Sequence, residues 1–315
     1  MRAAFVGKGG SGKTTTAALF ARYLAAEQVP VIAFDGDINQ HLAGALGAKD
    51  DEAAALPVIG DHLDELKAYF RGNNARIRSV QEMTKTTPPG RGSKLWHITD
   101  HDNPVWGECV RPVDGVPLAQ AGTFDEADIG TNCYHSKTGT IELVLNYLQD
   151  GENEYAVVDM TAGADAFASG LFSRFDRTFL VCEPTLRSVS VYEQYKHYAT
   201  EYGIHISVVG NKVADEHDEQ FLRAHVGDDL IACFGLSPYV KAAEKGVHQP
   251  LTMLEAENLE VLRTIRQKLD STPKDWATFT RQAHEFHAAN AIRWSNANMT
   301  DGYDLREQID PTFTR

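Results

Sequence analysis

Cysteine, basic charge and long apolar runs are scarce in this sequence, and each scarcity excludes a class of protein. The 315 residues include four cysteines and no Cys-x-x-Cys pair, too few for a disulfide framework, so we expect a reducing, cytoplasmic setting. Acidic residues outnumber basic ones by 44 to 30, for a net charge of −14. This balance argues against broad binding to nucleic acid or to an anionic membrane surface. No stretch approaches the ~18–20 apolar residues of a membrane span.

What is present points to a folded α/β protein. Hydrophobic residues make up 43% and charged residues 23% of the chain, a balance typical of globular domains with a sizeable core. Short apolar runs alternate with helical patterns, which predicts a mainly parallel sheet flanked by helices. The predicted strands are 3–6, 30–34, 155–159, 178–182 and 204–209, and the predicted helices are 13–27, 39–47, 138–149, 186–202 and 216–225.

Two regions depart from this alternation. Residues 84–137 are rich in Gly, Pro, Thr and Asp and predict a loop-rich insertion, with short strands near 94–98, 105–110 and 116–121. Residues 273–298 predict a C-terminal helix that packs on the main domain. We therefore expect one domain over 1–272 and a helical extension over 273–315. The predicted buried stripe of that helix is Trp276, Phe279, Ala283, Phe286, Ile292 and Trp294, and its His284 and His287 are interpreted as surface residues.

The strongest motif is a glycine-rich loop between the first strand and the first helix. Gly7-Lys8-Gly9-Gly10-Ser11-Gly12-Lys13-Thr14 fits G-x-x-x-x-G-K-[ST], with the strand before and the helix after that a phosphate-binding loop requires. Glycines let backbone N–H groups face phosphate oxygens, and the helix N-terminus adds positive charge. We expect Lys13 to reach the β- and γ-phosphates and Thr14 to ligate Mg²⁺. The predicted nucleotide-binding residues of this loop are Gly9, Gly10, Ser11, Gly12, Lys13, Thr14 and Thr15.

Carboxylates follow two of the predicted strands. Asp35 and Asp37 come after the strand at 30–34, and Asp159 ends the strand at 155–159. The carboxyl ends of parallel strands face the ligands of such a sheet, and Asp159 has the form of a Walker B aspartate, which holds Mg²⁺ through water. A helix N-cap is the alternative role for these aspartates. Gly163, close behind, can bring its N–H near a γ-phosphate because it has no side chain.

An asparagine follows the apolar residues of the strand at 204–209. The side chain of Asn211 can both donate and accept hydrogen bonds, which suits the edge of an adenine base. A turn asparagine is the alternative interpretation.

Together these motifs resemble the superfamily of MinD, ParA, CooC and nitrogenase iron-protein ATPases. The resemblance rests on the early lysine Lys8 in G-K-G-G-x-G-K-T, on D-x-D-x-N-x-x-L-x-x-x-L-G over 35–47, on D-M-x-A-G over 159–163 and on E-P-T-L-R-S over 183–188. In wording the last three are most similar to CooC-type nickel-insertion ATPases. The resemblance covers residues 1–50 and about 130–250.

The resemblance implies a P-loop ATPase of the deviant Walker A class that binds ATP and Mg²⁺, hydrolyses ATP and forms a homodimer while ATP is bound. It implies that Lys8 reaches the nucleotide of the partner subunit, that Asp37 orients or activates the attacking water and that Asp35 belongs to the water shell of Mg²⁺. Pro238 and Tyr239 would bracket the purine, with adenine inferred from the family. Metal-centre maturation or activation of a client protein is the function implied by CooC; a ParA- or MinD-like positioning or partition ATPase is the alternative.

One pair of residues departs from the CooC pattern. CooC-type proteins carry a Cys-x-Cys before the helix that leads to the Walker B strand, and this chain has Cys133-Tyr134-His135 at the matching place. Thiolate and imidazole both bind Zn²⁺ and Ni²⁺, and two such pairs across a homodimer would complete a Cys₂His₂ site. A buried free cysteine beside a solvated or N-capping histidine is the alternative.

Overall fold

The computed structural model describes residues 1–122, 135–299 and 301–315. The strands of these ranges are β1 (Arg2–Gly7), β2 (Val31–Gly36), β3 (Arg111–Val113), β4 (Val116–Gln120), β5 (Tyr155–Met160), β6 (Arg177–Cys182), β7 (Ile206–Val213) and β8 (Leu230–Gly235). The α-helices are α1 (Lys13–Ala26), α2 (Leu42–Leu46), α3 (Asp50–Ala54), α4 (Leu63–Arg71), α5 (His135–Tyr147), α6 (Leu186–Tyr202), α7 (Glu216–Val226), α8 (Pro238–Ala243), α9 (Ala256–Asp270) and α10 (Trp276–Asn290).

The described strands form one sheet in the order β3-β4-β2-β5-β1-β6-β7-β8. All neighbouring pairs from β4 to β8 are parallel, and β3 runs antiparallel to β4 at the edge. The carboxyl ends of the parallel strands therefore meet at one edge of the sheet. The register there sets Asp159 on β5 opposite Asp35 on β2 and Phe5 on β1, so the sheet itself brings the two predicted aspartates together.

Helices cover both faces of the sheet. On one face, apolar residues of α1, α2, α8 and α9 pack with the side chains of β1, β2 and β5 that point the same way. On the other face, α4, α5, α6 and α7 form a second core with the alternate residues of the same strands. Strands covered on both faces carry continuous apolar runs, as β1 does over residues 3–6 and β5 over residues 155–158. No helix within the described ranges is long and apolar enough to cross a membrane.

The predicted α/β class and mainly parallel sheet are confirmed. The predicted helix at 186–202 coincides with α6, and the other predicted helices on the sheet agree within a few residues at each end. Strand β8 and helices α4, α8 and α9 were not predicted. The sheet is therefore wider at the β8 edge than the sequence indicated.

The insertion differs from its prediction in two of three strands. The strand at 116–121 is confirmed as β4, which pairs in parallel with β2 and so extends the main sheet. Val105–Cys109 forms a π-helical turn instead. The side chain of Asn103 accepts hydrogen bonds from the N–H groups of Val105 and Trp106 at the start of this turn. At 94–98 the structure has one isolated bridge, between Trp96 and Leu148.

The C-terminal region also corrects two residue predictions. Helix α10 ends at Asn290, and a π-helical turn over 291–295 changes the helical periodicity, so Ile292 is 63% exposed rather than buried. Phe279 and Ala283 are buried as predicted, whereas the side chain of Trp294 lies outside the described part. His287 is not a surface residue: it is fully buried, its Nδ1 lies 3.0 Å from the Thr86 hydroxyl and its Nε2 lies 2.9 Å from the Leu305 carbonyl.

Candidate active site

The predicted nucleotide-binding segments meet around one cleft at the carboxyl edge of the sheet. The cleft has a volume of about 1000 Å³, which is in the range of small-molecule and cofactor sites. The predicted residues that line it are Gly9, Gly10, Gly12, Lys13, Thr14, Thr15, Asp37, Asn211 and Pro238. Ser11 is buried beneath the loop, and Gly163 follows Ala162, which does line the cleft.

The phosphate loop is held in shape by a contact with the end of β7. Gly12 has a positive φ of 95°, and a Cβ atom on it would lie 2.1 Å from the side-chain nitrogen of Asn211. That nitrogen donates a hydrogen bond of 2.7 Å to the Ser11 carbonyl, and the Ser11 N–H donates to the Lys8 carbonyl at 3.0 Å. Glycine at position 12 is therefore required both by backbone conformation and by close packing.

Lys13 lies among the strand-end carboxylates. Its ammonium forms an ion pair with Asp37 and lies 3.6 Å from Asp159 Oδ1. The Thr14 hydroxyl donates to Asp159 Oδ2 at 2.6 Å. Burial alone would lower the pKa of Lys13, but Asp159 and Asp37 outweigh burial and raise it. The lysine therefore stays protonated and keeps its positive charge available for phosphate oxygens.

The same residues fit Mg²⁺. Asp159 is fully buried, and its Oδ1 accepts no hydrogen bond from any residue that the structure describes. Burial raises the pKa of Asp159, and Lys13 opposes this shift. The Lys13 ammonium, 3.6 Å from Oδ1, offsets part of the cost of burying this carboxylate. The carboxylate still has an oxygen that accepts no hydrogen bond from the described residues. With the adjacent Thr14 hydroxyl it offers the hard oxygen donors that Mg²⁺ prefers.

Asp35 has a different environment from Asp159. Its two carboxylate oxygens accept hydrogen bonds from the N–H of Asp37, at 3.1 Å, and from the N–H of Leu42, at 2.8 Å. Burial and the charge of Asp159 raise the pKa of Asp35. Asp35 thus ties the loop after β2 to the first residue of α2, although the N-cap position of α2 is His41. Its place in the water shell of Mg²⁺ stays a prediction.

Of the two residues predicted to bracket the base, Pro238 lines the cleft and Tyr239 does not, and the base-binding role stays a prediction. Pro238 begins α8 and lines the cleft. Tyr239 is 4% exposed and points away from the cleft. Its hydroxyl accepts from Arg22 and donates to the Gln249 carbonyl at 2.9 Å. Helical geometry explains the difference, because consecutive helix residues point about 100° apart. Asn211 lines the cleft, with its side-chain nitrogen committed to the phosphate loop.

The predicted zinc or nickel pair cannot be placed. Cys133 lies outside the described residues, and so does the side chain of His135, whose backbone begins α5. Burial raises the pKa of the thiol to about 12 in Cys109 and Cys182 and to about 11 in Cys233. Burial therefore disfavours the thiolate form of these three cysteines, and the thiolate is the form that ligates metal.

Sequence analysis missed several residues of the cleft. They are Thr16, Leu19, Asn39, His41, Ala162, Lys212, Phe234, Gly235, Leu236, Ser237, Val240, Lys241, Glu244, Leu254 and Asn258. The sequence did contain one local signal for the cleft residues around α8. Ser237 caps α8 through the N–H of Val240, and proline occupies the first turn, a serine–proline start that is typical of helix N-termini.

Comparisons with known proteins agree with this geometry. The family model described as the CobQ/CobB/MinD/ParA nucleotide binding domain matches residues 3–272. The carbon monoxide dehydrogenase accessory protein CooC of Rhodospirillum rubrum is 27% identical over 247 residues, which are 78% of this chain and 87% of that protein. An uncharacterized ATP-binding protein of Methanocaldococcus jannaschii is 27% identical over 241 residues, 76% of this chain and 85% of that protein.

Solved structures show the same fold. The septum site-determining protein MinD of Pyrococcus horikoshii, complexed with Mg-ADP, superposes with a TM-score of 0.55 at 17% identity, covering 86% of this chain and 95% of that one. The cell division ATPase MinD of Pyrococcus furiosus superposes with a TM-score of 0.54 at 15% identity, covering 85% and 98%. The match of the family model to most of the chain, on a sheet with a phosphate loop at its carboxyl edge, shows that the protein belongs to the CobQ/CobB/MinD/ParA nucleotide-binding family.

Proposed function

We propose that this protein is a cytoplasmic, Mg²⁺-dependent ATPase that acts as a switch: it dimerises with ATP bound and separates after hydrolysis. Its cycle would serve the maturation of a metal centre or the activation of a client protein. The observation that carries the proposal is that Lys13 of the phosphate loop lines the cleft and pairs with the buried strand-end aspartates Asp37 and Asp159. The similarity to CooC, a carbon monoxide dehydrogenase accessory protein, supports the metal-centre role.

The ion pair between Lys13 and Asp37 suggests how ATP would set up the reaction. In the structure the ammonium is paired with Asp37. The β- and γ-phosphates of ATP are stronger partners for a lysine than one carboxylate, because they carry more charge. We expect them to take over Lys13 and to release Asp37. The freed carboxylate would then orient the attacking water, and Lys13 would stabilise charge on the phosphoryl group.

Thr14 and Asp159 would hold Mg²⁺ at the same cleft. They are already hydrogen-bonded to each other, so both oxygens lie where one ion could use them. Mg²⁺ supplies charge neutralisation on the phosphate oxygens when it is bound. The N–H groups of the phosphate loop would donate hydrogen bonds to the phosphate oxygens. Gly163 has a φ of +71°, with open space where a Cβ would lie, and would donate its N–H to the γ-phosphate.

Two assignments complete the proposal. Lys8 would reach across the dimer to the nucleotide of the second subunit, as its place in the loop implies. Cys133 and His135 would supply half of a Zn²⁺ or Ni²⁺ site between subunits. Both assignments come from the sequence pattern, and each has its own experiment.

Phosphate release and molecular mass test the enzyme and the switch. Lys13→Ala should abolish hydrolysis of Mg-ATP, and Lys8→Ala should abolish ATP-dependent dimerisation, measured by light scattering after size exclusion. Lys49→Ala is a matched control, because Lys49 is exposed and does not line the cleft. Unchanged turnover in Lys13→Ala, or an unchanged dimer in Lys8→Ala, would contradict the assignment.

Metal content and client capture test the finer role. Purified protein and its Cys133→Ser/His135→Ala variant should differ in bound zinc or nickel, and equal content in both would reject the metal pair. Asp37→Ala should bind ATP and hydrolyse it slowly, which would hold the ATP state. A pull-down with that variant should recover a metalloenzyme or its apo form. Recovery of DNA or of a membrane fraction would instead favour the positioning ATPase.

A further inference from the structure

Two lysines beside the phosphate loop share one carboxylate. Lys8 Nζ lies 3.5 Å from Glu183 Oε2, and Lys212 Nζ lies 2.7 Å from Glu183 Oε1. Lys212 also donates a hydrogen bond of 2.7 Å to the carbonyl of Gly10. Glu183 is therefore joined to the loop twice, directly through Lys8 and indirectly through Lys212. Its side chain is 16% exposed, so water screens these contacts only in part.

The fold fixes this arrangement. The residue before Glu183 is the last of β6, which lies between β1 and β7 in the sheet. The phosphate loop that carries Lys8 follows β1, and Lys212 lies on β7. Lys212 has a positive φ of 58°, a conformation that costs a non-glycine residue ~1 kcal/mol or more. The Lys212 side chain binds both Glu183 and the carbonyl of Gly10 in this backbone conformation.

The two lysines are held differently. Lys212 makes two contacts of hydrogen-bond length, whereas the 3.5 Å separation of Lys8 and Glu183 lies beyond the usual hydrogen-bond range. Lys8 is thus attracted mainly by charge, and its side chain remains 33% exposed. An ion pair of this kind is weak, so Lys8 is retained but easily released.

We infer that Glu183 is a positioning residue for Lys8: in a single subunit it holds the Lys8 ammonium at its own phosphate loop, and this pair must break before Lys8 can reach the nucleotide of a second subunit. The inference rests on the proposed function, because it requires Lys8 to act across a dimer. Lys212 competes with Lys8 for the same carboxylate. Glu183 and Lys212 therefore set, in opposite directions, how readily the ATP-bound subunits associate.

Substituting Glu183 and substituting Lys212 should shift the dimer dissociation constant in opposite directions. Glu183→Gln keeps the size of the side chain and removes its charge, so Lys8 is free and the dimer should form more tightly. Lys212→Gln removes the competing cation, so Glu183 binds Lys8 more strongly and the dimer should weaken. Because each dimer releases two such pairs and each is weak, we expect a shift of roughly fivefold in the dimer dissociation constant in either direction.

The experiment measures the dimer dissociation constant of the full chain by analytical ultracentrifugation with Mg²⁺ and a non-hydrolysable ATP analogue. Nucleotide affinity is measured separately by calorimetry, so that a change in the loop is not mistaken for a change in association. Glu193→Gln is the matched control, because Glu193 is an exposed glutamate on α6. Loss of fold would weaken the dimer in every variant, whereas the inference requires shifts of opposite sign.

A tighter Glu183→Gln dimer, a weaker Lys212→Gln dimer and an unchanged Glu193→Gln control would support the inference. The double variant Lys8→Ala/Glu183→Gln should stay monomeric like Lys8→Ala. A Glu183→Gln dimer that is unchanged or weaker would overturn the inference, and so would a dimer of the double variant. If the unmodified chain stays monomeric with the analogue, the proposed function is contradicted. That outcome differs from failure of the Glu183 inference, because it is seen without any variant.

Discussion

A single methyl group at Gly12 tests whether the phosphate loop depends on its contact with β7. A Cβ atom there would lie 2.1 Å from the side-chain nitrogen of Asn211, and the backbone φ is +95°. An L-residue with such a φ costs about 1–2 kcal/mol. Displacing Asn211 also breaks its hydrogen bond to the Ser11 carbonyl, which contributes about 1 kcal/mol. Gly12→Ala should therefore destabilise the loop conformation by about 2–3 kcal/mol.

Two measurements report the free-energy cost of Gly12→Ala. If the loop stays as it is, urea unfolding of Gly12→Ala should show the full loss of stability. If the loop relaxes instead, stability recovers and the affinity for Mg-ATP should fall by about 30- to 150-fold, which is the same free energy. Gly9→Ala is the control, because a Cβ atom on Gly9 meets nothing within 4 Å; its unfolding should match that of the unmodified chain.

A double variant separates the clash from the backbone strain. Gly12→Ala/Asn211→Ala removes the side chain that the methyl group meets, so it should be no less stable than Gly12→Ala alone. Additive losses in the double variant would mean that the two residues do not meet as described. Gly12→Ala with normal stability and normal Mg-ATP affinity would refute the reasoning altogether.

Three further predictions concern single side chains. Asp159→Asn should raise the Mg²⁺ concentration needed for half-maximal hydrolysis at least tenfold, because it removes charge beside Thr14; an unchanged Mg²⁺ titration would contradict this. Tyr239→Phe should cost about 1 kcal/mol of stability and leave Mg-ATP affinity unchanged in calorimetry, since the tyrosine faces Arg22 rather than the cleft. Burial lowers the pKa of His287 to about 4, below its unfolded value of about 6.5, so its contribution is complete above pH 6.5 and is lost as pH falls toward 4. The stability difference between the unmodified chain and His287→Gln should therefore shrink by about 2 kcal/mol from pH 7 to pH 5 in urea titrations; a constant difference would contradict the buried neutral histidine.

The sequence predicted the parts of this site that depend on local patterns. The phosphate loop has a fixed spacing of glycines, lysine and threonine, and it lies between a strand and a helix that are apolar enough to recognise alone. The aspartates 35, 37 and 159 follow buried strands, and parallel strands bring such ends to one edge. The helix predicted at about 186–202 agrees with α6, and in the structure Thr185 caps its start and Gly203 lies at its end.

The parts that were missed depend on contacts between distant segments. Nothing local distinguishes His287 from a surface histidine; it is buried because Thr86 and the chain near Leu305 come to it from elsewhere. The bridging role of Glu183 likewise depends on the neighbouring strand, which supplies Lys212. The strand predicted near 105–110 is a turn over Val105–Cys109, and the side chain of Asn103 accepts hydrogen bonds from two N–H groups of that turn.

The central claim is that the two subunits of this ATPase complete each other's sites. Mixing two inactive variants tests that claim most directly. Lys8→Ala keeps its own Lys13, Asp37 and Asp159, whereas Asp37→Ala binds ATP and still carries Lys8. Each variant alone should hydrolyse ATP very slowly. A heterodimer carries one complete site, at the Lys8→Ala subunit, which meets the Lys8 of its partner. Because the loss of one Lys8 weakens association, steady-state phosphate release should rise above that of either variant alone and stay below about a quarter of the unmodified rate, which is the limit for random pairing. A mixture that stays as inactive as its components, or a Lys8→Ala variant that is fully active alone, would contradict the account.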